Sequence, residues 1–299
     1  MAGTTKVVTR EEGAQRLLNG SVRRSYEPAI DVDWDAPLEP GRYFLPPKLI
    51  TLYDTPLWRG MSQEQRIELS RQELANVMSV GIWFENVLNQ MLLRMAYDAD
   101  PTSKYVHYAL TEMGDECRHM IMFGRLIDRV GGRAYRRGSW WHNVGRVFPL
   151  ALRGSGVWVA ALMGEEIFDS LQRATMRDPE LQPLVHQVMR IHVAEEARHI
   201  KYAREDLVRS LRSAGRFEKE ATRIVAAQAG MILTTSLTNA AVYQRAGLNP
   251  VEARRQARAN PHARAVAYDG FEKLRTFLYD NDLIGGPSVA IWRRCGLVK

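Results

Sequence analysis

Asp115-Glu116-Cys117-Arg118-His119 returns 80 residues later as Glu195-Glu196-Ala197-Arg198-His199. With 20 Glu and 7 His in the chain, chance supplies about half a Glu-x-x-His match, so one copy says little. Two copies that also share the Arg and the leading acidic residue say much more. Glu and His three residues apart lie about 60° apart on a helix, close enough for a carboxylate oxygen and an imidazole nitrogen to grip one metal ion. Two such helices facing each other would hold two ions.

Working outward, both copies fall in long helical stretches. The first predicted helix runs from Ser62 to Asp98 without Pro and with a single Gly, opened by Ser62 and Gln65 as capping residues. A second follows Asp100-Pro101 and ends near Gly131-Gly132, a third spans Val157 to Met176, and a fourth starts near Pro179 and reaches Ala214-Gly215. Arg216 to Ala246, Pro250 to Ala259 and Arg264 to Asp280 also read as helices, and strand alternation is almost absent. Six of the 13 prolines lie in the first 60 residues, which predicts an irregular arm. The expectation is one all-α domain over 1–299: an irregular Pro-rich arm (1–60), a four-helix metal-binding core (62–214), and accessory C-terminal helices and tail (215–299).

Composition narrows the function classes. At 299 residues, 45% hydrophobic and 25% charged, the chain is a folded protein that needs no disulfide to hold its core. Cys117 and Cys295 are its only cysteines, which fits a reducing, cytoplasmic setting. Met1 to Arg10 has no apolar signal region, and runs such as Val157 to Met163 are too short to span a bilayer, so no membrane partner is expected. The net charge is +7, but Arg is spread along the chain beside Glu and Asp. The short basic runs, Arg133 to Arg137 and Arg254 to Arg258, read as solvated faces, and no nucleic acid partner is expected. There is no Walker A sequence, and Gly154-Ser155-Gly156 reads as a turn before a helix.

Two divalent irons carry four positive charges, so a buried site needs about four carboxylates; the two motif copies supply two, and one is sought on each of the other two helices. On the first helix Glu85 is the candidate, because it interrupts the apolar run Ile82 to Leu88, whereas Glu64, Glu68 and Glu73 sit among polar neighbours. On the third, Trp158, Ala161, Leu162 and Phe168 share a face with Glu165, which is preferred over Glu166, a surface or outer residue. His192 lies on one stripe with Glu196 and His199. An isolated helical His is usually a core residue bonded to a carbonyl, but one turn from a metal-binding pair it reads as a further ligand. Asp115, Glu195 and Asp169 are candidate acceptors for ligand N–H groups, with Arg118 and Arg198 as partners of Asp115 and Glu195. Cys117 should not share the metal-facing stripe, and a buried or half-buried structural thiol is expected. Trp83, Phe84, Trp158, Phe168 and several Met could line a pocket, though such stripes are more often core, and Tyr97, Tyr105, Tyr108 and Tyr202 could relay electrons.

The order Glu85, Glu116-x-x-His119, Glu165, Glu196-x-x-His199 resembles the ferritin-like di-iron carboxylate proteins, and His192 narrows the resemblance to the p-aminobenzoate N-oxygenase family. The likeness covers roughly Gln63 to Ser213. It implies a ferritin-like bundle in which Glu85, Glu116, His119, Glu165, His192, Glu196 and His199 are the seven metal ligands. Glu116, Glu196 and His192 would be the catalytic ones, the two glutamates as bridges. The implied cofactor is two Fe ions, with Mn or mixed Mn/Fe as variants. Implied partners are dioxygen, a small-molecule amine and an electron donor such as a ferredoxin or reductase, and a homodimer is expected. The implied reaction carries an arylamine through hydroxylamine and nitroso stages to a nitro group. The Arg-His pairs also resemble acyl-carrier-protein desaturases, an alternative C–H oxidising enzyme against which His192 argues. A ribonucleotide reductase small subunit fits less well, since no tyrosine follows His119. The non-enzymatic alternative is a ferritin-like iron or manganese store.

Overall fold

The computed structural model describes residues 9–136 and 138–299, with the side chains of 139 and 140 excepted; residues 1–8 and Arg137, the last of one basic run, lie outside the described residues. The described chain is all-α. Its helices are α1 (Arg10–Arg23), α2 (Pro28–Asp31), α3 (Pro56–Gly60), α4 (Gln63–Tyr97), α5 (Lys104–Arg129), α6 (Ser139–Ala151) and α7 (Ser155–Met176). They continue with α8 (Pro183–Ser213), α9 (Arg216–Ser236), α10 (Ala240–Arg245), α11 (Pro250–Ala259), α12 (Pro261–Gly270), α13 (Glu272–Asp280) and α14 (Val289–Cys295). No helix among the described residues is long and apolar enough to cross a membrane.

The four long helices close a ring in which α4 packs on α5, α5 on α8, α8 on α7 and α7 on α4. Short links join α4 to α5 and α7 to α8, which makes each pair an antiparallel hairpin, while residues 130–154, carrying α6, form the one long crossover. That is the connectivity of ferritin-like bundles. Each start has a local cause. Ser62 Oγ accepts the Gln65 N–H while the Gln65 side chain accepts the Ser62 N–H, a reciprocal cap on α4. Ser103 caps α5 and Pro183 opens α8. At α7 the cap comes from outside: Glu218 on α9 accepts the Ser155 N–H at 3.0 Å and the Ser155 hydroxyl at 2.9 Å. Gly154 turns there at φ +54°, where a Cβ would sit 2.4 Å from the Glu218 carboxylate.

The approach of α4 to α7 rests on one pair. A Cβ on Gly164 would lie 1.8 Å from the Phe84 ring, so the ring occupies the space that glycine leaves open. The residues that follow, Glu85 and Glu165, are thereby brought to the same level of the bundle.

Four expectations change. The arm is not simply irregular, because residues before Pro28 lack proline and form α1, opened by a Thr9–Glu12 capping box and packed on α5 and α8. The stretch Arg216 to Ala246 is two helices: Thr234, Thr235 and Ser236 bond back to carbonyls of the preceding turn, and Asn239 caps a new start. Arg264 to Asp280 likewise divides at Phe271, with its first helix beginning earlier, at Pro261. Cys117 is exposed, because a residue turned away from the stripe of Glu116 on an outer helix faces solvent. Helices α6 and α14 had no sequence signal strong enough to be anticipated.

Candidate metal centre

The bundle brings all seven candidate residues into one buried cluster. Glu85 on α4, Glu116 and His119 on α5, Glu165 on α7, and His192, Glu196 and His199 on α8 are each no more than 3% exposed. Their donor atoms form two groups, each converging within 4.8 Å: Glu116, His119, His192 and Glu196, and Glu116, Glu165, Glu196 and His199. Glu116 and Glu196 belong to both, the position a bridging carboxylate needs. Glu85 approaches the first group, with its Oε1 3.7 Å from His192 Nε2. Glu166 turns outward and pairs with Arg204 at 2.5 and 2.6 Å, so the preference for Glu165 follows the geometry.

The two five-residue copies hold each other in a crossed arrangement. His119 of α5 directs Nε2 to Glu195 of α8 at 2.9 Å, and His199 of α8 directs Nε2 to Asp115 of α5 at 3.2 Å. Each Nδ1 faces the centre, His119 to Glu116 at 2.8 Å and His199 to Glu116 at 2.7 Å. A carboxylate on the outer nitrogen fixes ring orientation and leaves the inner nitrogen for a cation. Arg118 pairs with Asp115, and Arg198 lies between Asp115 at 3.3 Å and Glu195 at 3.7 Å, so these arginines serve the outer carboxylates as expected. The backbone N–H of Tyr26, from the N-terminal segment, donates to Glu195 at 3.3 Å. Asp169 departs from its expected role: it accepts from Arg173 at 2.6 Å rather than from a ligand.

The chemistry of the donor set fits cations. Glu85 Oε2, Glu165 Oε1, both Glu196 oxygens and both His192 nitrogens are buried without a hydrogen bond. Leaving so many polar atoms unpaired in a protein core is costly unless a cation binds them. Protonation tells the same story. Burial, reinforced by the charges of Glu116 and Glu196, pushes Glu85 well above the usual carboxylate range, and burial with Glu196 does the same to Glu165. Against the cost of burial, His199 and His119 hold Glu116 well below that range. His119, despite burial, is raised to about 10 by Glu116, Glu195 and Glu196. His192 is the exception: burial lowers it to about 3, so it stays neutral and keeps its lone pair. Its ring lies 4.3 Å from that of His119 and 4.8 Å from that of Phe123, with no carbonyl or hydroxyl on either nitrogen. It is not the carbonyl-bonded core histidine that base rates favour.

A family model described as p-aminobenzoate N-oxygenase AurF matches residues 8–282. The chain belongs to the AurF family. Uncharacterized protein MT0908 of Mycobacterium tuberculosis is 31% identical over 295 residues, covering 93% of this chain and 85% of the relative. Uncharacterized protein Mb0909 of Mycobacterium bovis is 30% identical over the same shares. Among solved structures, two variants of an R2-like ligand-binding oxidase, each with a reconstituted Mn/Fe cofactor, superpose with TM-scores of 0.52 at 14% and 13% identity. They cover 93% and 94% of this chain and 94% and 95% of their own, a likeness of fold. AurF membership, the ferritin-like fold and the buried carboxylate–histidine cluster together support a di-metal oxygenase or oxidase.

Sequence reading missed three buried acids in this AurF-family core: Glu73, bonded to Thr51, Asp206, bonded to Arg10, and Glu112. Glu112 on α5 is 2% exposed, and its Oε2 has no partner. Its immediate neighbours Thr111 and Met113 form no apolar run to betray it. The signal that would have found it is the 80-residue offset itself, which carries Glu112 onto His192. Of the methionines that could line a pocket, Met78, Met122, Met163 and Met189 are fully buried, and Tyr97, one of the candidate electron relays, is exposed.

Proposed function

We propose that this protein is a di-metal N-oxygenase that uses dioxygen to oxidise a small amine of the arylamine class, with electrons from an external donor such as a ferredoxin or reductase. The observation that carries the reading is His192, a neutral, unpartnered imidazole added to four glutamates and two outer-braced histidines. Glu85, Glu116, His119, Glu165, His192, Glu196 and His199 would hold the metal pair. When bound, two redox-active ions supply the positions for dioxygen and the electrons that activate it.

The chain's own residues do the rest. Asp115 and Glu195 hold the Nε2 edges of His199 and His119, so both rings present Nδ1 inward without reorganisation. Glu116 and Glu196, which belong to both groups, would help to hold both ions, and Glu85 and Glu165 would each add a further carboxylate. Phe123, buried against the rings of His119 and His192, presents hydrocarbon to the cluster and helps keep bulk water from it. Arg118 and Arg198 offset the charge of the outer carboxylates.

The test is rapid mixing of protein loaded with two Fe(II) per chain against oxygen, with and without 4-aminobenzoate. The expected result is a transient visible band whose decay accelerates with the amine, together with hydroxylamine, nitroso or nitro product. A band indifferent to amines would shift the reading to C–H oxidation. Slow ferric accumulation beyond two ions per chain, with no transient, would make the protein a store.

A further inference from the structure

The motif repeat is longer than five residues. At the same offset, Glu112-x-x-Asp115-Glu116-x-x-His119 on α5 corresponds to His192-x-x-Glu195-Glu196-x-x-His199 on α8. The contacts fix how the two lie. His192, one turn before Glu196, lies with its ring 4.3 Å from that of His119, which is one turn after Glu116. Asp115, just before Glu116, bonds His199, one turn after Glu196. So α5 and α8 run antiparallel with Glu116 level with Glu196, and a local two-fold relates the halves. Under that two-fold Glu112 falls at the His199 end, as His192 falls at the His119 end.

We propose that Glu112 is a reserve protein donor to the metal position of His199 and Glu165, the counterpart of His192 at the position of His119 and Glu85. This inference rests on the di-metal reading of the site. The Glu112 carboxyl is 2% exposed and has an oxygen without a partner, in a part of the core where its electrostatic neighbours are His199, Glu116, Glu196 and Asp115. Among the described residues no Lys or Arg forms an ion pair with it, and burial drives the carboxyl well above its usual range, opposed chiefly by His199. It stands outside the two groups that converge within 4.8 Å, which is why it is a reserve donor rather than one of the seven.

The consequence is that the two positions differ in kind. One is rich in nitrogen, with His119 and His192; the other is rich in oxygen, with Glu165 and Glu112 beside its single His199. Carboxylate suits Mn(II), whereas imidazole is at home with iron, so the His199 position is the one where manganese should compete best.

The experiment is an anaerobic titration of the purified, metal-free full chain with Mn(II) alone, with free Mn(II) followed by electron paramagnetic resonance. The wild-type chain is expected to bind two ions. Glu112→Gln should weaken one of them ten- to hundredfold and leave the other unchanged. His192→Gln should weaken the other ion, and the double variant should weaken both. The metal-free Glu112→Gln chain should melt no lower than wild type, because it replaces an unpaired buried acid with a neutral isostere. Two ions bound by Glu112→Gln with wild-type affinity would overturn this inference and leave the di-metal reading standing. A metal-free variant that melts well below wild type would make Glu112 a folding residue and overturn it too. A wild-type chain that fails to bind two ions would overturn both.

Discussion

The hairpin of α4 and α5 and the hairpin of α7 and α8 do the same job with different residues. Each supplies one inward glutamate from its first helix, Glu85 or Glu165, and from its second a Glu-x-x-His pair whose leading acid braces the histidine of the other half. Where the copies agree, metal chemistry leaves little choice. Where they differ, the halves fit one another. Phe84 precedes Glu85, Gly164 precedes Glu165, and the ring of one fills the space left by the other. Glu112 and His192, again at equivalent places and both buried, would make the two metal positions unequal. The lesson is that a near-symmetric scaffold can present a chemically asymmetric centre, and that the asymmetry is found in the mismatches of the repeat.

The largest expected break in this comparison is loss of a shared ligand. His119→Ala or Glu196→Ala should lower the metal stoichiometry from two ions per chain to one or none, read by elemental analysis after anaerobic loading. If either variant keeps two tightly bound ions, the ligand set is wrong.

Next come the crossed braces. Glu195→Gln and Asp115→Asn should each weaken metal binding about ten- to hundredfold. The crossing makes a sharper claim: Glu195→Gln should couple to substitutions of His119 across the bundle and not to His199 on its own helix. A double-mutant cycle with metal affinity as readout decides between them.

How much of this was legible can be argued residue by residue. The two five-residue copies, Glu85 and Glu165 were all readable, because a charge in an apolar stretch or at fixed helical spacing is expensive without a partner, and only a few partners exist. Glu112 was not, since one carboxylate between Thr111 and Met113 has no spacing of its own and its burial is set by α8, far along the chain. Helix α1 was hidden because prolines from Pro28 onward coloured the whole segment, although Thr9 and Glu12 already spelled a cap. Cys117 was placed off the stripe of Glu116, but helical angles do not say what covers the opposite face, and the thiol is exposed beside Asn89. The breaks after Ser236 and at Phe271 depend on weak competition from hydroxyls and a glycine, which propensity alone resolves poorly.

A packing test addresses the Phe84–Gly164 mismatch. Gly164→Ala should destabilise the chain by about 1–3 kcal/mol, because a methyl group 1.8 Å from the Phe84 ring forces it to move. Gly114→Ala is the control: its nearest neighbour would be the Arg118 guanidinium at 3.9 Å, so that variant should be neutral or stabilised by under about 1 kcal/mol. Thermal melts that rank the two the other way would sink the close-approach account of α4 and α7.

The gentlest test is pH. In the metal-free chain at neutral pH His119, raised to about 10, carries a proton that a bound ion must displace, and burial shifts Glu85 and Glu165 in the direction of their protonated forms. Affinity should therefore strengthen as pH rises toward that value and weaken as it falls, by up to about tenfold per unit for each proton displaced. Calorimetry in buffers of different ionisation enthalpy should show proton release on binding; proton uptake would contradict the assignment.

The central claim is that both halves of the repeat meet around two metal ions. Crystals of the full chain loaded with Fe(II) and Mn(II), measured by anomalous diffraction at the iron and manganese edges, test it most directly. The account predicts two anomalous peaks between Glu116 and Glu196, one beside His119 and His192 and one beside His199 and Glu165. A single peak, or peaks outside this cluster, would contradict it.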